Sequence, residues 1–150
     1  MKEDSTATKG LQSITIYGFA FTVKDLDHSV KWYQDILGFN KESQEIFDIN
    51  GKKAKIAFME LAAIKLELMQ IDGGYRIEAI FADPPDHLLP IGNKTLVLQV
   101  PDLHLATREL EEKKVKFEWK EMDLSGNGIR NTMIRDIDGN FISIFQKNMR

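Results

Sequence analysis

Imidazole chemistry in this 150-residue chain rests on three residues, His28, His87 and His104, and thiol chemistry is absent because there is no cysteine. Without a thiolate there is no disulfide, no cysteine nucleophile and no zinc–thiolate centre. His28 and His104 stand near helix starts and His87 in a proline-rich stretch, so all three are expected at the surface, where loops and polar helix faces are solvated. His87 is the one that a long loop could fold over a cleft. Glu67 lies in the alternating run IKLELMQ beside Lys65. It reads either as a solvated strand glutamate or as a group facing a ligand. Buried without a cation, its pKa would rise and it could serve as a general acid or base, which makes it the best catalytic candidate. Arg130 and Arg135, near the last hairpin, could meet an anionic ligand or simply pair with carboxylates. No glycine-rich phosphate loop, Ser-His-Asp arrangement or Cys-His pair is visible.

Those residues need elements to hold them. Hydrophobic residues make up 43% of the chain and charged residues 29%, which is the composition of a folded domain with one core. The net charge of −3 comes from interspersed signs, so no basic stripe supports a nucleic-acid partner. No apolar run is long enough to span a bilayer, so no membrane partner is expected. The opening MKEDSTATKG lacks the apolar core of a signal peptide, and residues 1–12 read as a flexible leader on a cytoplasmic protein.

Residues 14–23 (ITIYGFAFTV) read as a strand. Asp27 or Ser29 can cap the helix that follows, with Val30, Tyr33, Ile36 and Leu37 on one face and Gly38 as a left-handed stop. Asn50-Gly51 between two apolar runs predicts a type I′ hairpin, since both central residues there need positive φ. A short turn at Ala62-Ala63 leads into IKLELMQ. The order is β, α, β, β, β over residues 13–70. Residues 71–92 hold Gly73-Gly74 and Asp83-Pro84-Pro85-Asp86, and form a connection with a possible extended piece over 76–81. Its length suggests that it is partly ordered or functional. The order then repeats over 93–147: a strand KTLVLQV, a helix capped by Asp102 with Leu103, Ala106 and Leu110 inward, the alternating VKFEW, a turn at Gly126-Asn127-Gly128, a strand ending at Arg135, a tight turn at Asp138-Gly139-Asn140 and a strand FISIFQ. The repeat shows in element order rather than in literal identity.

Three segments carry a family resemblance. FTVKDLDHSVKWYQDILGF (21–39) resembles the opening of a vicinal-oxygen-chelate module, LVLQVPDLHLATRELEEKKVKF (96–117) is similar to the opening of a second, and RDIDGNFISIF (135–145) to the closing turn and strand, with Ile137 where the family usually has proline. The resemblance, to the glyoxalase / bleomycin-resistance / extradiol dioxygenase-like superfamily, covers residues 13–147. It implies an α+β fold in which two βαβββ modules pair into a curved mixed sheet around a cleft, with the helices outside. It also implies a homodimer. It does not select a function, since this fold hosts lyases, isomerases, dioxygenases and non-catalytic drug binders.

In the family's enzymes, four side chains on central strands, typically His, Gln or Glu, hold a divalent metal. By their offset from the motifs these positions are Gly18, Glu67, Thr95 and Ser143. A glycine cannot ligate and neutral hydroxyls are poor partners for zinc or a similar ion. No metal site and no cofactor are therefore expected, a divalent metal being the alternative. Strand alternation extends the cleft lining from Gly18 to Ala20, from Glu67 to Met69, from Thr95 to Val97 and Gln99, and from Ser143 to Phe141 and Phe145. This lining is small, mixed and partly aromatic. It points to a metal-independent protein that sequesters or senses a small, partly apolar ligand. A lyase, isomerase or dioxygenase with displaced ligands, using Glu67 with His87 or Gln99, and an interaction module working through its dimer surface are the alternatives.

Overall fold

The computed structural model describes residues 10–147. The leader expected over residues 1–12 lies mainly outside that range, and residues 10–12 are exposed. The first module runs β1 (Gly18–Thr22), α1 (Leu26–Trp32), β2 (Asn40–Ile49), β3 (Lys52–Leu61) and β4 (Ile64–Ile71). The second runs β5 (Thr95–Val100), α2 (Leu103–Glu112), β6 (Lys116–Met122), β7 (Asn131–Arg135) and β8 (Phe141–Gln146). Each module is a four-stranded mixed sheet, ordered β1-β4-β3-β2 and β5-β8-β7-β6. In each, the outer strand before the helix runs parallel to the last strand, and the remaining pairs are antiparallel. This is the repeated βαβββ order expected from the sequence.

The repeat extends to single hydrogen bonds. Asp25 caps α1 by accepting from the His28 amide at 3.0 Å, and Asp102 caps α2 by accepting from the Leu105 amide at 3.0 Å. The first amide of each helix, at Leu26 and Leu103, donates to a glutamine on the parallel neighbour strand, Gln70 at 2.8 Å and Gln146 at 3.2 Å. Two orphan donors at each helix start are thus satisfied by the same chemistry. The cap of α1 is therefore Asp25, not the expected Asp27 or Ser29. Asp25 has the extended backbone a cap needs (φ −137°, ψ 110°), whereas Ser29 is inside the helix and buried. Beyond Trp32 the helix widens into a π turn, Tyr33–Leu37, and stops at Gly38 with φ 83°. The Asn50-Gly51 turn has both φ values positive, 53° and 84°, as its residue types require.

Apolar side chains on one face of each sheet join the helices in a single core, which includes Leu66 and Leu68 of β4, Tyr33 beside α1, Leu103 and Leu110 of α2, and Ile142 and Ile144 of β8. Polar contacts cross the module boundary beside it. The buried Tyr33 hydroxyl donates to Asp136 Oδ2 at 2.6 Å, and the Ser29 hydroxyl to Asp138 Oδ2 at 3.3 Å. Burial, with Asp136 alongside, pushes the Tyr33 phenol far above its usual range, so it remains a donor at any working pH.

Two expectations change. The first strand is shorter than 14–23, because Ile14, Ile16 and Tyr17 stand exposed before it begins. The extended piece expected over 76–81 is instead a 3-10 turn, Glu78–Phe81, followed by another, Asp86–Leu88. No helix among the described residues is long and apolar enough to cross a membrane.

Candidate functional site

A cavity with a volume of about 460 Å³ lies on the open face of the second sheet. Sheet parity builds it. Thr95 pairs with Phe141 and Val97 with Ser143 across the parallel ladder, while Met133 and Asn131 pair with Ser143 and Phe145 across the antiparallel one. Paired residues project to the same side, so these side chains form one surface. Trp119 of β6, opposite Met133, extends it, and Leu124 and Ile129 of the β6–β7 loop rim it. His87 and Leu88 of the connection supply the remaining wall. Apolar walls with a few polar groups are what ligand cavities offer.

Three of the polar groups are tied together. Trp119 Nε1 donates to Asn131 Oδ1 at 3.1 Å, and Asn131 Nδ2 donates to Ser143 Oγ at 2.7 Å. Ser143 therefore accepts within the protein and keeps its own hydroxyl proton to give. His87 corrects the expectation of three surface histidines. His28 and His104 are exposed, but His87 is only 3% exposed and its ring packs against Phe141 at a tilt of 39°, with centroids 4.2 Å apart. Burial foremost, then the positive charges of Arg135 and Lys94, push the His87 pKa below its usual value, so the ring is neutral.

Arg135 explains why the connection stays down. Its guanidinium is 6% exposed and lies over the Phe141 ring at 4.2 Å. It pairs with Glu118, donates to the Phe81 carbonyl at 2.8 Å and reaches Asp83 at 3.1 Å. One buried arginine thus pins the connection to the second sheet just upstream of His87, and it answers the alternatives left open for Arg135 in favour of carboxylate pairing. Arg130 is exposed.

The ten residues expected to line one cleft fall into two groups. Thr95, Val97, Ser143 and Phe145 line the cavity, and Phe141 lies beneath His87. Gln99 is on the same strand but exposed and not part of the wall. Gly18, Ala20, Glu67 and Met69 lie on the first sheet, where Ala20 pairs with Glu67 and Thr22 with Met69, and none of them borders the cavity. Glu67 is half-buried, so the full burial that would have made it an acid–base group is not met. Its neighbour Lys65 is engaged elsewhere, with Glu42 at 2.9 Å and Glu60 at 2.8 Å. Of the residues not anticipated, Asn131 and Met133 were within reach of the parity rule had it been carried to β7. Trp119 and the loop residues had no comparable signal, and for His87 the only signal was its place in a long connection able to fold over a cleft.

The first sheet also decides whether a metal fits. A side chain at Gly18 would put its Cβ 2.0 Å from the Lys65 carbonyl oxygen, so the backbones occupy the space a ligand would need. Among the described residues no three His, Asp or Glu side chains are grouped so as to hold a metal ion. Glu67, two alcohols and a glycine, split between two sheets, do not form a donor set for a divalent metal.

A family model for the Glyoxalase/Bleomycin resistance protein/Dioxygenase superfamily matches residues 15–144. The chain belongs to this superfamily. Solved structures agree on the fold. A glyoxalase family protein from Bacillus cereus superposes with a TM-score of 0.70 at 16% identity, covering 93% of this chain and 98% of that one. A glyoxylase/bleomycin resistance protein/dioxygenase domain from Frankia sp. EAN1pec gives 0.66 at 20%, covering 93% and 98%. A V278E mutant of glyoxalase I from Zea mays gives 0.66 at 17%, and there the match covers 88% of this chain but 44% of the maize chain. No curated protein matches the sequence.

Proposed function

We propose that this protein is a metal-independent small-molecule binder of the glyoxalase/bleomycin-resistance type, which sequesters or senses a small, partly apolar ligand on the second sheet. This reading is supported by a largely apolar cavity of about 460 Å³, together with Gly18, Glu67, Thr95 and Ser143 at the four positions that the family resemblance implies for metal ligands. The cavity has the size and wall chemistry of a ligand site. It also has no nucleophile–base pair, since His87 makes no hydrogen bond to Ser143.

A homodimer is part of the proposal. On the face of the first sheet turned away from the helix Phe47 and Ile49 are exposed, and Val97 is exposed on the cavity face of the second. A second copy covering these faces would remove apolar surface from water and enclose the cavity. Such a pairing would still bring only Glu67 as a charged donor to each set of four positions, so it does not alter the metal argument. Light scattering on the purified protein tests the dimer, and a monomer at micromolar concentration removes it.

Thermal shift across a panel of hydrophobic antibiotics and metabolites tests the binding function. A ligand at one hundred times its Kd stabilises the folded state by about 2.7 kcal/mol, which is about 5–11 °C for a domain of this size. No stabilisation by any compound counts against binding. Near-stoichiometric zinc, nickel, manganese or iron after chelator-free purification overturns metal independence and favours a lyase, isomerase or dioxygenase.

A further inference from the structure

Among the described residues, one buried side-chain nitrogen or oxygen has no hydrogen-bond partner, and it is His87 Nδ1. The other ring nitrogen, Nε2, also bonds to nothing in the chain. Nε2 is not sealed in that way, and His87 borders the cavity. The ring is neutral and so carries one proton. Placed on Nδ1, that proton would make a sealed N–H with no acceptor, the arrangement folded proteins most consistently avoid. Placed on Nε2, it sits on the nitrogen that is not sealed and leaves Nδ1 as a bare acceptor.

His87 packs against Phe141, which is two residues from Ser143 on the same face of β8 and opposite Thr95 on β5. Same-face neighbours along a strand are about 7 Å apart. The Ser143 hydroxyl, already accepting from Asn131, offers its proton nearby. Two donors therefore border a cavity whose exposed wall is mostly apolar, although Thr95, Ser125, Asn127 and Asn131 also line it, and neither donor has an acceptor in the chain.

We propose that His87 Nε2–H is the specificity-determining donor of this cavity, and that with Ser143 it selects ligands presenting an acceptor oxygen, a carbonyl or carboxylate, at the edge of a flat apolar body. The inference rests on the cavity being the ligand site. The aromatic wall, with Trp119 and Phe145, suits the apolar body. A bare hydrocarbon of the same shape would leave both donors unpaired.

The test uses a matched pair, 2-acetylnaphthalene and 2-ethylnaphthalene, titrated by NMR into the full-length protein, with the imidazole nitrogens read directly in 15N-histidine-labelled material. His87 is expected in the neutral Nε2–H form, and the ketone is expected to bind about five- to ten-fold more tightly than the hydrocarbon, the worth of one hydrogen bond. His87→Phe keeps the ring on Phe141 and removes the donor, so the preference should fall to about one. His87→Gln returns an amide N–H and should restore part of it. Equal affinities for both compounds, in the wild type and in His87→Phe alike, overturn the donor role while leaving the binding function standing. An Nδ1–H or charged ring at neutral pH overturns it independently of any ligand. Binding of neither compound at the cavity, and of nothing in the thermal-shift panel, removes both readings together.

Discussion

Replacing Arg135 by methionine should unfasten the wall of the cavity before it unfolds the sheet. The guanidinium has three kinds of partner, and they do not weigh equally. The Asp83 carboxylate is 92% exposed, so its attraction is screened by water and contributes little. Glu118 is 15% exposed against 6% for Arg135, and removing one member of so enclosed a pair leaves a charge without compensation, at a cost of about 3–5 kcal/mol. The bond to the Phe81 carbonyl adds an acceptor left bare in the connection. Methionine recovers some packing against Phe141, so the net loss should be about 3 kcal/mol, or about 6–12 °C in Tm. Urea titration measures the total, and hydrogen exchange shows where it falls. Amides of residues 81–88 should lose protection while those of β8 keep theirs, and ligand affinity should fall with them. Arg135→Met combined with Glu118→Leu should regain at least half of the stability, because the stranded carboxylate is gone, but should leave residues 81–88 unprotected. A single variant that loses under 1 kcal/mol, or unchanged exchange over residues 81–88, would refute the assignment of Arg135 as the fastener.

Other expectations follow from the same contacts. Tyr33→Phe keeps the edge-on ring contacts to Trp32 and Phe39 and deletes the 2.6 Å bond to Asp136, so it should cost about 1.5–3 kcal/mol in urea unfolding, and a loss below 0.5 kcal/mol would show that the inter-module bond is idle. Gly18→Ala forces a methyl against the Lys65 carbonyl and should destabilise by about 1–3 kcal/mol, while Gly18→His should acquire no tight zinc, which calorimetric titration would reveal. Stability should fall on acidification through His87: the folded state holds its pKa below the ordinary 6.5, so below that pH the unfolded chain takes a proton that the folded chain resists. The loss can reach about 1.4 kcal/mol per pH unit, and from pH 7.5 to 5 the urea midpoint should fall further for the wild type than for His87→Phe; parallel behaviour would dismiss the effect.

Much of the frame was legible because it is set by local chemistry. Asn50-Gly51 can take two positive φ values cheaply, Gly38 can end a helix in the left-handed region, and Asp102 can satisfy a free helix amide; each acts on neighbours within a few residues. The alternation of FISIFQ placed Phe141, Ser143 and Phe145 on one face without any knowledge of the partner strand. The misses also have reasons. Asp25, Asp27 and Ser29 are all competent caps, and the choice among them depends on which backbone position turns extended, where the Gln70 side chain then meets the Leu26 amide. The run before Gly18 is β-forming by composition, but pairing extends only as far as β4 offers a partner.

The sequence by itself determined the two βαβββ modules and the absence of a ligating side chain at Gly18, since these depend on residue type and short-range periodicity, and the resemblance of three motifs pointed to the family. Tertiary structure alone decided that Gly18 and Glu67 lie on a different sheet from Thr95 and Ser143, and that His87 is a buried cavity wall instead of a surface loop residue. Both follow from contacts between segments distant in the chain, the shared core and the Arg135 bonds to Phe81 and Asp83. Such contacts leave no periodic mark on either partner.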